Sequence, residues 1–300
     1  MKIIRPFTVT ESALVTSSVA ETVSLWSSGT TYAALAQVRK GTRLYESQQA
    51  SNTNHDPAID DGTWWVDIGP TNRWAMFDQV NGTATSKASS IAATVQITGR
   101  IDSVALLGLT ASSVNVTARS GATEVFNQTV DLIDTTGVTD WYEYFFADIV
   151  YKSDLIVTGL PLNAGLQVDV TISGSGTVEV GTCVFGLSRA LGGSLYGAKL
   201  GINDFSRKDQ DAFGNYTVVP RAFAKRGSYT VVVNGGSIAE CASKVAAIAK
   251  LLSDYRATPL VWVASETYDA TITFGFYKSF DLEIAYPTQS ILTLEIEGLT

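Results

Sequence analysis

The chain has 300 residues, of which 45% are hydrophobic, so it can form one large domain or two to three ordinary ones. Charged residues make up 17%, below the roughly 25% usual for globular domains, and the net charge is −8. The acidic balance and the lack of any Lys/Arg-rich run exclude the electrostatic footprint of a nucleic-acid binder. No 18-residue apolar stretch predicts a membrane-spanning helix, and the N-terminal segment, which Pro6 interrupts, does not resemble a signal peptide. We therefore expect a soluble chain without membrane insertion.

Residues 1–70 are the first predicted unit, a small β module with an N-terminal strand. Its apolar runs are short, such as 34–38 and 42–45, and we expect them to be edge strands. Aromatic residues are dense here, and about half of them should form the small core. The others would offer flat apolar faces that stack on sugar rings or fill partner pockets. These aromatic residues are Trp26, Tyr32, Tyr45, Trp64, Trp65 and Trp74.

Residues 71–190 are the second predicted unit, a β-sandwich or jelly roll. Eight short apolar runs follow one another here, several alternate strictly between apolar and polar residues, and Gly, Ser, Thr and Asn separate them. Short strands at this spacing are typical of two packed sheets. The predicted strands are 91–97, 103–109, 114–118, 124–130, 141–146, 154–157, 166–172 and 177–185.

Residues 191–300 are the third predicted unit, an α+β domain with one main helix at 237–253. Ser237 and Glu240 have the spacing of a capping box, apolar residues recur at helical spacing after them, and Pro259 forbids continuation. Strands are predicted on both sides of this helix, so the whole chain is predicted to be mainly β. Those strands are 216–220, 228–233, 260–263, 271–276, 280–285 and 291–296.

Residues for catalysis are scarce. His55 is the only histidine, and a His-based zinc site needs more than one imidazole or several thiols. A Ser-His-Asp triad would have to use His55, and no Gly-x-Ser-x-Gly elbow exists to supply its nucleophile. Cys183 and Cys241 lie far apart in sequence, and we expect two buried reduced thiols. No phosphate-binding loop is present either, so we expect no catalytic residue, cofactor or metal.

Carboxylates offer one route to glycosidase chemistry, with Asp60 beside Asp61 and Glu143 in an aromatic setting as candidates. The sequence cannot place them at a catalytic separation, and solvation at turns and on strand faces explains them without chemistry. The segment 209–215 resembles the start of a calcium loop, but Phe213 stands where an oxygen ligand belongs and the terminal Glu is missing. A turn rich in Asp and Gly is the better interpretation.

The first module has a recognisable order of residues: an aromatic residue, a Tyr, an apolar strand, a Gly, a Tyr-containing strand, an Asn/Pro loop and a closing Trp. This order resembles the small carbohydrate-binding module of chitinases, although the Asn/Asp loop is longer here. In that family exposed aromatic residues near the closing Trp bind polysaccharide. The resemblance implies that Trp64 and Trp65, with Tyr45, contact a glycan or a partner. The matching residues are Trp26, Tyr32, Val38, Gly41, Tyr45, Asn52, Pro57 and Trp64.

Four segments of the C-terminal third, at 201–215, 219–226, 256–263 and 294–300, resemble distal tail or baseplate proteins of siphophages. In that family an α+β belt domain oligomerises into a ring, and the middle sandwich is similar to the galactose-binding-like jelly rolls that decorate such proteins. The resemblance implies a structural virion protein at the tail tip, assembled in the host cytoplasm, that connects the tail tube to the host-recognition apparatus. Its implied partners are copies of itself, the tail tube, the hub and fibres. We expect the apolar last strand, 291–296, to add to a neighbouring subunit's sheet.

Two other functions stay open. The chain is alternatively a carbohydrate-binding adhesin or tail-fibre component that recognises a cell-surface glycan through its first module. A less favoured alternative is a glycoside hydrolase or its accessory protein, which no sequence motif supports. The main expectation is a non-enzymatic protein that works by assembly and binding.

Overall fold

The computed structural model describes residues 1–80, 82–134, 138–146, 148, 150–210, 213–266 and 268–299. Strands hold 53% of the residues and helices 10%, which confirms the predicted mainly β fold. Fourteen strands join one large antiparallel sheet, and smaller sheets of two or three strands account for the others. The first two strands of the chain, β1 (Lys2–Pro6) and β2 (Leu14–Ser17), belong to the large sheet.

The aromatic module consists of two small sheets. Its strands are β3 (Thr31–Tyr32), β4 (Gln37–Lys40), β5 (Arg43–Ser47), β6 (Asn52–Thr53) and β7 (Trp65–Pro70). One sheet has the order β4-β5-β7, so the run predicted as an edge strand at 42–45 belongs to the central strand, and β3 pairs with β6. Gly41, with a φ of +60°, forms the tight turn between β4 and β5, a conformation that glycine adopts without strain.

The predicted sandwich is present, and its two layers enclose the largest core of the protein. Its strands are β8 (Thr85–Gln96), β9 (Ser103–Thr110), β10 (Ser113–Ser120), β11 (Thr123–Asp131), β12 (Ile133–Asp134), β13 (Val150–Tyr151), β14 (Leu155–Thr158) and β15 (Gln167–Ala190). In β10 the alternating residues Val114, Val116 and Ala118 are fully buried. Each buried Val contributes about 1.5–3 kcal/mol relative to an exposed one.

Strand β15 runs through both layers of the sandwich. Its first half pairs with β10 and β8, and its second half pairs with β9. The register shifts between Ser173 and Thr177, where Gly174 sits close to the Val178 side chain. The two strands predicted at 166–172 and 177–185 are therefore one strand of 24 residues, because the glycine-rich stretch between them bends the chain without ending it.

The strand predicted at 141–146 is wrong: these residues form a short helix, α1 (Trp141–Phe146). The Asp140 Oδ1 accepts a 2.8 Å hydrogen bond from the Glu143 N–H, and the Glu143 Oε2 accepts bonds from the N–H and hydroxyl of Thr139. These reciprocal bonds satisfy helix N-terminal donors. The local cap therefore outweighs the strand preference of the aromatic side chains.

The C-terminal region is a sheet with one long helix packed on it. Its helix α2 (Ile238–Asp254) confirms the prediction, with Ser237 as the N-cap whose side chain accepts the Glu240 N–H. Ile248 and Leu252 of α2 join the core against the sheet. The strands are β16 (Gly193–Ser194), β17 (Lys199–Asp204), β18 (Arg207–Gln210), β19 (Tyr216–Val219), β20 (Phe223–Asn234), β21 (Leu260–Val263), β22 (Ile272–Tyr286) and β23 (Gln289–Gly298).

The last strand is not free to join another subunit. Strand β23 pairs with β20 along one edge and with β22 along the other, so both of its backbone edges are occupied. The expectation that 291–296 adds to a neighbouring sheet is therefore wrong. Strand β17, by contrast, pairs only with β20 among the described strands, so its other edge is the open one.

Strand β1 joins the sandwich to the C-terminal sheet. It pairs with β15 on one side and with β21 on the other, and Ile4 contributes to a buried cluster between the two regions. Val184 of the sandwich and Phe274 of the C-terminal sheet belong to the same cluster. The division of the chain near 70 and near 190 stays a prediction. Although β1 precedes the aromatic module in sequence, it hydrogen-bonds to the sandwich and to the C-terminal sheet.

Candidate interaction surfaces

Trp64 offers the aromatic face that the sequence predicted in the small module. Its indole is half-buried and stacks on the His55 imidazole, with ring centroids 3.8 Å apart and planes 8° apart. The His55 Nδ1 lies 3.0 Å from the Oδ1 of buried Asn52, which fixes the ring from the other side of the loop. The single histidine therefore supports a tryptophan and has no described acid or nucleophile arrangement around it.

Trp65 does not offer a face to a ligand, so its predicted role as a contact residue is wrong. Its side chain is only 2% exposed, and its Nε1–H donates a 2.8 Å hydrogen bond to the His55 carbonyl. The ring of Tyr32 meets it edge-on at 5.3 Å. Trp65 is the first residue of β7 and fills the core of the module, whereas Trp64 lies in the bend before the strand and stays half-buried.

Tyr45, the third predicted contact residue, is half-buried on the central strand β5. It pairs in register with Val38 on one side and with Asp67 on the other. The pKa of its hydroxyl is raised, mainly by burial and to a smaller extent by the negative charge of Asp67. The phenol is therefore neutral at ordinary pH and can donate one hydrogen bond, although the structure shows no shared site with Trp64.

The candidate carboxylates have structural roles. The Asp60 Oδ2 accepts 3.0 Å hydrogen bonds from the backbone N–H groups of Gly62, Trp64 and Trp65, so this residue organises the turn that presents both tryptophans. Hydrogen bonds from Thr63 lower the pKa of the Asp61 carboxyl. The predicted interpretation of this pair as turn residues is confirmed. No glycosidase arrangement emerges from Asp60 and Asp61.

The helix α1 exposes a dense group of rings, and we call residues 141–146 the aromatic segment. Its five aromatic side chains are each 65–78% exposed, and none of its residues is buried. The rings pack on one another: Tyr142 lies 4.9 Å from Phe146, and Tyr144 lies 5.1 Å from Phe145. Exposed apolar patches of this density are typical of interaction sites. The sequence predicted a strand here and offered Glu143 as a candidate carboxylate, and the bonds from Thr139 lower the pKa of that carboxyl.

A second exposed surface is the two-stranded ribbon of β18 and β19 with its described flanking residues, 205–210 and 213–223, which we call the arm. Among the described strands, β18 and β19 pair only with each other, and every residue of both is exposed. The base of the arm is held by the pairing of β17 with β20 and by an ion pair between Lys225 and buried Asp154 of the sandwich. The exposed apolar residues of the arm are Phe205, Phe213, Tyr216, Val218, Val219 and Phe223.

The described residues contain no group of three or more His, Cys, Asp or Glu side chains that could hold a metal ion. Cys183 and Cys241 are both free and buried, as predicted. Burial raises the pKa of the Cys183 thiol, so the reactive thiolate is disfavoured. Asp211 and Ala212, part of the predicted Asp/Gly turn, lie outside the described residues.

Together the fold and these surfaces define a mainly β protein with a half-exposed tryptophan in its first module and two apolar surfaces elsewhere. Among the described helices, none is long and apolar enough to cross a membrane. Comparison of the chain with protein-family models, with curated proteins and with solved structures gave no match. The function of the chain is therefore inferred from its residues and from the geometry of these surfaces.

Proposed function

We propose that this chain is a structural subunit of a phage tail tip, a distal tail or baseplate ring protein that connects the tail tube to the host-recognition apparatus. Its partners would be copies of itself, the tail tube, the hub and fibres, and its place would be the virion, after assembly in the host cytoplasm. The C-terminal sequence resemblance supports this class. The observation that carries the proposal is the exposed arm.

The arm is an unusual structure for an isolated chain. A two-stranded ribbon without a covering layer is marginally stable in water. Strands β18 and β19 have no buried residue on either face, yet they carry Tyr216, Val218 and Val219. Packing against another protein molecule would bury these side chains and stabilise the ribbon. Assembly is therefore the function that this geometry supports best.

The test is the mass of the purified protein in solution, measured by light scattering over a wide concentration range. We expect an oligomer whose mass is a multiple of 32.0 kDa. A variant in which residues 207–219 are replaced by a short Gly/Ser linker should be monomeric, and Val125→Ser, on the exposed face of β11, should behave as wild type. A wild-type protein that stays monomeric at all concentrations and does not join tail tubes would refute the proposal.

The second candidate is a host-recognition adhesin that binds cell-surface glycan, which the stacked pair of Trp64 and His55 favours. A flat ring held in place by a neighbouring ring is suited to stacking on a sugar. Trp64→Ala should abolish binding on a glycan array, whereas Trp64→Phe should retain part of it, with both variants folded. A folded wild-type protein that binds no glycan on a broad array would count decisively against this candidate.

A further inference from the structure

We propose that the arm of one copy of this chain packs across the aromatic segment of a second copy. This inference rests on the assembly function proposed above and names the two surfaces that meet. It follows from the presence, on one chain, of two unrelated apolar surfaces that no described part of the chain covers.

The area of the aromatic segment matches what a stable contact needs. An aromatic side chain can bury roughly 150–250 Å², so five rings exposed to about 70% offer on the order of 700 Å². A standard-sized interface buries about 800 Å² on each partner. The rings already pack on one another, Trp141 with Phe145 for example, so little side-chain entropy is lost when a partner covers them.

The arm supplies apolar side chains and one cation for this contact. A ribbon with apolar side chains such as Tyr216 and Val218 can lie across a cluster of rings and bury both. Residues 138–151 carry three acidic residues, at 140, 143 and 148, and no Lys or Arg. Residues 205–223 carry three basic residues and two acidic ones, at 209 and 211. Arg207 pairs with Asp209 and Lys208 pairs with Asp204 within the same chain, whereas no described carboxylate pairs with Arg221, so Arg221 is the cation that can face this acidic stretch. Opposite charges at the rim of such a contact favour the correct partner.

A contact between two different surfaces has a consequence for the shape of the assembly. Each copy carries one arm and one aromatic segment, so every copy can give one contact and receive one. Such head-to-tail contacts form a closed ring when the rotation between copies closes. The inferred contact therefore accounts for how one kind of chain could build a ring.

The test uses two variants that each lose one surface. Tyr216→Ser with Val218→Ser disables the arm, and Trp141→Ser with Phe145→Ser disables the aromatic segment; all four side chains are exposed, so both variants should fold, which circular dichroism checks. Each variant alone should be monomeric by light scattering. An equimolar mixture should form a one-to-one dimer, because one intact arm meets one intact segment. Val125→Ser serves as the exposed-surface control.

Each outcome decides the matter. A mixture that stays monomeric, while the wild type is an oligomer, would overturn this contact and leave the proposed assembly function standing. Variants that oligomerise on their own would also overturn it. A monomeric wild type would overturn this contact, and a monomeric wild type that also does not join tail tubes would refute the assembly function as well. If either variant fails to fold, the mixing test is repeated with a second set of exposed residues. Phe205→Ser with Phe223→Ser then disables the arm, and Tyr142→Ser with Phe146→Ser disables the aromatic segment.

Discussion

The small module and the aromatic segment are both rich in aromatic residues, and they use them in opposite ways. In the module, Trp65 is buried and Trp64 is stacked on His55. In the segment, the rings of Trp141 to Phe146 touch mainly one another and stay exposed. The difference shows that aromatic density does not reveal exposure. What decides it is whether a second layer of chain covers the rings.

The largest expected effect is a difference in stability between a substitution in the small module and one in the aromatic segment. Trp65→Ala should reduce the free energy of unfolding of the module by about 3–5 kcal/mol, because a large buried ring leaves a cavity. Trp141→Ala, at an exposed site, should change the stability of the chain by no more than about 0.5 kcal/mol. Hydrogen exchange of the β5 amides for the first variant and thermal unfolding for the second would measure this. Unchanged stability of the Trp65→Ala variant would contradict the burial of the Trp65 side chain.

The next effect compares the two helix caps. Ser237→Ala should cost about 1 kcal/mol in α2, yet the helix should persist because Ile248 and Leu252 hold it on the sheet. Asp140→Ala removes a cap of similar worth from α1, which has no buried residue to hold it. Hydrogen exchange should therefore show loss of protection in α1 only. The comparison is made in the monomeric variant that lacks residues 207–219, where equal protection of α1 would mean that the segment has a partner within the same chain.

A smaller effect concerns the stacked pair. His55→Ala should cost roughly 0.5–1.5 kcal/mol of module stability, since it removes the ring contact with Trp64 and the link to Asn52. His55→Phe keeps a flat ring and should recover part of that loss. Chemical denaturation followed by tryptophan fluorescence would compare the two. Identical stability of the two variants would show that stacking contributes nothing at this site.

The smallest effect is a pH dependence of the aromatic segment. The pKa of Glu143 is lowered in the folded chain by hydrogen bonds from Thr139, so its stabilising effect is present above the ordinary pKa and is lost as the pH falls through the lowered value. Acid should therefore loosen α1, as seen by Trp141 fluorescence. Glu143→Gln should remove this pH response. A response that persists in this variant would place its origin in another group.

Local signals made part of the fold predictable. Helix 237–253 could be found because its cap, its apolar face and Pro259 agree, and the strands of the sandwich could be found from their alternation. A strand is predicted at 141–146 because the aromatic composition favours one. The helix forms because Asp140 and Glu143 cap it through bonds between side chain and backbone, which composition does not reveal. The fused strand β15 was missed because glycine usually punctuates strands and here only bends one.

The candidate surfaces were harder to predict. Alternation implies that one residue of the Trp64–Trp65 pair faces inward, but the choice depends on the turn that Asp60 organises, and that turn is not visible in a pattern of period two. Strands β18 and β19 have no inward face at all, so burial periodicity carries no information about the arm.

The position of β1 bears on how the chain reaches its final form. Ile4 has one neighbour at Ser188 and another at Val261, so both pairings of this strand join residues that are far apart in the sequence. Pairings between distant parts of a chain slow folding, because the loop must close before the contact forms. The link between the sandwich and the C-terminal sheet therefore depends on two such distant pairings, of β1 with β15 and of β1 with β21.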